Sequence, residues 1–94
     1  MKSARWSPAA VEDLNGLRDY FAEDVTTAQL IIDRLVLATD WLLDWPYAGQ
    51  EIAQSGWRKW PPRQTGYVLI YRPTADGIEV GYVRHERENW LADW

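Results

Sequence analysis

The chain has 94 residues, 47% apolar and 26% charged, with no cysteine, one histidine and a formal net charge of −4. That balance argues against disorder, and it leaves no disulfide, no thiolate metal site and no His-rich metal site to build. No run reaches the roughly 18 apolar residues of a membrane span, and residues 1–6 carry no apolar signal run, so the expectation is a soluble cytoplasmic protein forming a single domain over residues 1–94.

Residues 2–6 read as a short first strand. Ser7-Pro8 is a helix start, with Ser as N-cap and Pro at the first helical position, and Glu12 and Asp13 follow where negative charge suits the helix dipole. Ala10, Val11, Leu14, Leu17 and Phe21 recur at helical spacing, which predicts a helix over residues 8–23. Asp24 and Thr26 are candidate caps of a second helix over residues 25–45, with a core stripe of Ala28, Ile31, Ile32, Leu35, Ala38 and Leu42. This helix has a second apolar seam at Leu30, Leu37, Trp41 and Trp45, and a helix apolar on two faces needs cover on both. Either it lies between the first helix and a sheet, or its Trp41/Trp45 end is left for a partner.

Pro46 stops the helix and Tyr47-Ala48-Gly49 reads as a turn. The period then changes. Residues 57–60 form a short strand ended by Pro61-Pro62, and residues 66–72 form the strongest strand, rich in β-branched and aromatic side chains. Residues 73–77 are a hairpin loop with an Asp-Gly turn signal, and residues 78–84 return as the partner strand. Residues 88–94 read as a short terminal helix or a tail. The order β-α-α-β-β-β gives an α+β fold: an N-terminal strand, then a helical hairpin packed on a mostly antiparallel sheet of about four strands.

This order, with particular residues, resembles the ParE-type toxins of the RelE/ParE superfamily, whose members act in type II toxin–antitoxin systems. Trp6-Ser7-Pro8-Ala9-Ala10 is similar to the family's strand-to-helix junction, with Asp13-Leu14 and Tyr20 following. Ala28, Ile31, Ile32 and Leu35 resemble the opening of its second helix. Pro46-Tyr47-Ala48-Gly49 resembles its Pro-x-x-Gly break, and Arg58-Lys59-Trp60-Pro61 its Arg-x-hydrophobic-Pro strand. Tyr67 to Arg72 looks like the central strand, and Val83-Arg84-His85-Glu86-Arg87 like the Val-x-His-x-Arg ending.

The resemblance implies a growth-inhibiting toxin neutralised by a cognate antitoxin, without cofactor. In the ParE branch it implies an inhibitor of DNA gyrase with no catalytic site. In the RelE branch it implies a ribosome-dependent messenger-RNA endoribonuclease, to which Arg84, His85, Arg87 and Trp90 would contribute. RelE-like sequences carry an arginine just after the tyrosine that opens the central strand; here that position is Val68, which cannot neutralise a phosphate. The charge balance points the same way. Residues 1–51 hold nine acidic and four basic side chains, and residues 52–94 hold five and six, so the whole chain would repel RNA and is not expected to bind DNA directly.

Residues 52–75 do contain four basic side chains (Arg58, Lys59, Arg63, Arg72) and no acidic one. Of these with Arg84 and Arg87, several are expected to converge on one side or edge of the sheet, as an anion site, as structural salt bridges with the acidic helices, or simply as solvated charge. His85 is either a general acid or base or a hydrogen-bonded end to the last strand. The candidate contact residues for an antitoxin or target are Trp41, Trp45, Trp57, Arg58, Trp60 and Arg72. The alternative for the tryptophans is plain core.

Overall fold

A computed structural model describes residues 2–87. Its elements are β1 Ser3–Trp6, α1 Pro8–Tyr20, α2 Val25–Asp44, β2 Gln50–Glu51, β3 Arg58–Trp60, β4 Tyr67–Thr74 and β5 Gly77–His85. The fold is α+β, as the sequence order predicts, and the sheet has five strands in the order β1-β5-β4-β3-β2, one more than expected. β1 runs parallel to β5 and the other pairs are antiparallel. The extra strand, β2, is a two-residue pairing of Gln50 with Lys59 and Glu51 with Arg58, too short to leave a period in the sequence.

Ser7 caps α1: its Oγ accepts from the Ala10 N–H at 3.0 Å and donates to the Gly81 carbonyl at 2.7 Å, which ties the helix start to β5. α1 ends at Tyr20, three residues before the predicted end, because residues 21–23 form the reversing turn and Asp24 caps the next helix. The Asp24 carboxylate accepts from the Thr27 N–H (3.1 Å) and hydroxyl (2.6 Å), and these bonds hold its pKa below the ordinary 3.8. α2 ends at Asp44, with Trp45 in the capping position. β4 outlasts its predicted end and runs through Pro73, which is tolerated because β3 pairs only with Leu69 to Tyr71, leaving β4 a neighbour on one side there. The turn therefore contracts to Ala75-Asp76, with Gly77 at φ 142°. A β-carbon on Gly77 would collide with the Ser3 backbone across the β1–β5 pairing.

Both helices pack on one face of the sheet. Ala10 and Leu17 of α1, Ile31, Ile32, Leu35 and Leu42 of α2, Leu69 and Tyr71 of β4, and Ile78, Val80 and Val83 of β5 form the main core. The other face carries a smaller cluster of Ile52, Val68 and Ile70 under Trp57 and Tyr82. Cover on both faces explains why β4 reads as an unbroken apolar run. The two-residue alternation of β5 breaks at Gly81. Ile70 pairs with Tyr82 but Tyr71 pairs with Val80, so Gly81 is an inserted bulge that lets Val80 and Val83 face the same core.

The β2–β3 hairpin is strained at its tip. Ala53 and Gln54 have φ of 47° and 58°, and the Ser55 N–H closes onto the Ile52 carbonyl at 2.9 Å, a turn that favours Asn-Gly over the Ala-Gln found here. Replacing Gln54 by glycine is expected to raise the unfolding free energy by about 0.5–1 kcal/mol, read as a higher urea midpoint at unchanged slope.

Candidate binding surface

The second apolar seam of α2 is exposed. Leu30 (49%), Leu37 (65%), Trp41 (44%) and Trp45 (60%) keep large fractions of their surface open, since α1 and the sheet together cover only the Ile31, Ile32, Leu35 and Leu42 stripe. Trp60, at the end of β3, stacks on Trp41 with ring centroids 4.9 Å apart and 24° between planes, and Trp41 and Trp45 are 6.4 Å apart. Trp41, Trp45 and Trp60 thus form one aromatic row on the helix side. Between α2 and the segment after β3 lies an open groove of about 420 Å³, whose walls include Arg34, Leu37, Trp41, Trp60, Pro61 and Arg63. Sequence reading passed over Arg34, which lies four residues after Leu30 and three before Leu37 on the same seam.

The remaining candidates lie elsewhere, and the arginines gather only in part: Arg72 and Arg84 share the face away from the helices, over Trp57 and Tyr82, while Arg58 lies on the helix side. Arg58 pairs with Tyr71 in register and so points to the helix side. Its guanidinium donates to the Gly49 carbonyl at 2.7 Å, lies 3.9 Å from Glu51 and sits 4.9 Å over the Tyr47 ring. It closes the α2–β2 loop. Strand alternation places Arg72 on the opposite face, where it donates to Glu79 at 2.7 Å and lies 4.9 Å over the Trp57 ring. Trp57 rests on Gly81, where a β-carbon would lie 2.5 Å from its ring. The six candidate contact residues are therefore divided between the two faces of the sheet.

At the far end of β5 the side chains are already engaged. Asp13 of α1 accepts from the Val83 N–H and from Arg84 Nη1, both at 2.8 Å, and Arg84 also lies 4.7 Å over the Tyr82 ring. This carboxylate caps the β5 edge just beyond the end of β1. The His85 ring meets Tyr67 edge-on at 5.2 Å, and His85 Nδ1 accepts from the Arg87 N–H, so the histidine closes the last strand. Val68 is buried in the second cluster. An open pocket of about 510 Å³ between α1 and this strand end is lined by Glu12, Gly16, Tyr20, Tyr67 and His85 among others. Trp90 and the expected terminal helix or tail over residues 88–94 lie outside the described residues. Among the described residues, no helix is long and apolar enough to cross a membrane, and no group of three or more His, Cys, Asp or Glu side chains is placed to hold a metal.

A strand, a helical hairpin and an antiparallel meander with this geometry also occur in a solved chain described as "Chromosomal ParDE TA system from P. aeruginosa". The likeness has a TM-score of 0.77 over 90% of this chain and 96% of that one, and at 18% identity it is a likeness of fold. No curated protein sequence matches. Residues 4–90 match the family described as ParE toxin of type II toxin-antitoxin system, parDE, and the chain belongs to that family, which implies an antitoxin partner.

Proposed function

We propose that this chain is a growth inhibitor of the ParE kind that acts on DNA gyrase or a related type II topoisomerase in the cytoplasm, and that its cognate antitoxin silences it by binding. The observation that favours this over messenger-RNA cleavage is the state of the β5 end. The Arg84 cation is paired with Asp13 at 2.8 Å, and the neighbouring β4 position holds buried Val68. Cleavage of a phosphodiester needs cations aimed at a developing phosphorane, and here one is neutralised and the other position is a hydrocarbon. A binding inhibitor needs an exposed surface instead, which the Trp41, Trp45 and Trp60 row supplies. We assign that row to the antitoxin, and the Trp57/Arg72 platform on the opposite face is a second contact surface.

Inducible expression of the chain without antitoxin tests the reading. Growth arrest with filamentation and DNA damage, intact messenger RNA, and inhibition of gyrase supercoiling by the purified protein are expected. Codon-positioned cleavage of messenger RNA in arrested cells, abolished by the combined Arg84→Ala, His85→Ala and Arg87→Ala substitutions, would establish the endoribonuclease instead.

A further inference from the structure

Helix α1 carries a glycine that the fold itself does not explain. Gly16 lies inside the helix, where glycine is among the least favourable residues. Packing does not require it. Apart from the helix's own backbone, nothing among the described residues lies within 4 Å of the place a β-carbon would take. A helix position without a side chain lets another chain approach closely, and the space beside Gly16 is the open groove of about 510 Å³ between α1 and the end of β5.

The walls of that groove share one chemistry. Glu12, Gly16 and Tyr20 follow at four-residue spacing and so form one row along α1. Tyr20 is 78% exposed. The rings of Tyr67 and His85 line the β-strand side. Asp13 is neutralised by Arg84, whereas Glu12 forms no ion pair among the described residues. The surroundings carry the same sign: residues 8–44, the two helices and their turn, hold eight acidic and two basic side chains. A carboxylate without a counter-charge beside an exposed phenol ring suits a guanidinium or ammonium group, which it meets by charge on one side and by ring face on the other. Residues 88–94 hold two carboxylates and no cation, so this chain's own terminus does not supply that group.

We infer that the α1–β5 groove is where the toxin meets its target: it takes a segment of the topoisomerase whose arginine or lysine side chain lies against Glu12 and the Tyr20 ring, and whose backbone passes over Gly16. This rests on the reading of the chain as an inhibitor of a type II topoisomerase, and it adds the contact surface and the charge of the bound segment. None of the groove side chains belongs to the Trp41, Trp45 and Trp60 row assigned to the antitoxin, so the two contacts separate by mutation.

The test measures three things on the full chain: binding to purified DNA gyrase, inhibition of supercoiling, and binding to the antitoxin that co-purifies on co-expression with the flanking reading frames. Gly16→Gln fills the groove with a neutral side chain. It is expected to weaken gyrase binding by at least about 10-fold while raising the thermal midpoint by about 2–5 °C, because glutamine is the better helix former. A glycine with a purely structural role would give the second effect without the first. Glu12→Gln keeps the shape and removes the charge. It is expected to weaken gyrase binding by about 5-fold or more, and to reduce the loss of binding between about 50 and about 200 mM salt. Arg18→Ala, on another side of α1, changes gyrase binding by less than about 2-fold, and all three variants keep antitoxin binding within about 2-fold of wild type. Gyrase binding within about 2-fold of wild type in both groove variants would overturn the groove assignment and leave the inhibitor reading standing, and so would an equal loss of antitoxin binding. A wild-type chain that neither binds gyrase nor blocks supercoiling overturns the reading of the function, and the groove assignment falls with it.

Discussion

The Tyr71→Phe variant is expected to unfold with about 1–3 kcal/mol less free energy than the wild type, a large share of the roughly 5–15 kcal/mol available to a domain of this size. Tyr71 is fully buried in the main core, and its hydroxyl ties the loop after α2 to β4 from within. It donates to the Pro46 carbonyl at 2.8 Å and accepts from the Gly49 N–H at 2.9 Å. Phenylalanine keeps the ring and its packing but leaves that donor and acceptor without a partner, and an orphaned buried polar group costs more than a hydrogen bond contributes. The Gly49 carbonyl also accepts from Arg58, so the loosened loop releases that side chain as well.

The same variant has a pH signature. Burial pushes the Tyr71 phenol above its ordinary value of 10.0. The folded state therefore holds the proton more tightly than the unfolded chain does. The contribution is present in full below pH 10 and is lost as the pH rises through the folded-state value. Urea titrations from neutral to alkaline pH should show wild-type stability falling on that limb, and Tyr71→Phe should lack this component. A variant with wild-type midpoint at neutral pH would refute the clamp.

Truncating Asp13 to alanine is expected to cost about 2–3 kcal/mol, because it removes a charge-assisted bond to a backbone donor together with an ion pair. The backbone bond dominates. Val83 lies on β5 beyond the end of β1, so its N–H has no strand to pair with and depends on the carboxylate. The Arg84 pair is part-exposed and contributes less. Two comparisons separate the contributions. Asp13→Asn keeps an acceptor for Val83 and should lose only about half as much, and a double-mutant cycle with Arg84→Ala should give a coupling of about 0.5–1 kcal/mol. Equal losses in Asp13→Ala and Arg84→Ala would show that the ion pair, not the edge cap, carries the effect.

Most of the secondary structure was legible in local chemistry. Ser7-Pro8 and Asp24 announce helix starts because a cap is satisfied within three residues, and both caps form as the residues demand. The apolar stripes of α1 and α2 and the run from Tyr67 to Tyr71 likewise place most of the core where it is found, although Val11 of the α1 stripe is exposed. β2 escaped because two residues have no period, and the length of β4 was misjudged because Pro73 is disruptive only where a strand has neighbours on both sides.

The candidate surface was half legible. The apolar seam of α2 follows from helical geometry, which a sequence carries in full, whereas its exposure was decided by the packing of α1 and the sheet on the other stripe. Which arginines share a surface depends on strand register and on one inserted residue at Gly81, and those are set by the pairing of β3, β4 and β5 with one another. Thus the class of fold, its helix boundaries to within a few residues and its family were determined by the sequence alone. The stacking of Trp60 on Trp41, the placing of Trp57 and Arg72 on the opposite face, and the isolation of Arg34 and Arg63 from any carboxylate among the described residues were decided only by the tertiary structure. The physical reason is that side-chain direction alternates along a strand with a period of two, so a single bulge or one-residue shift in pairing exchanges the faces.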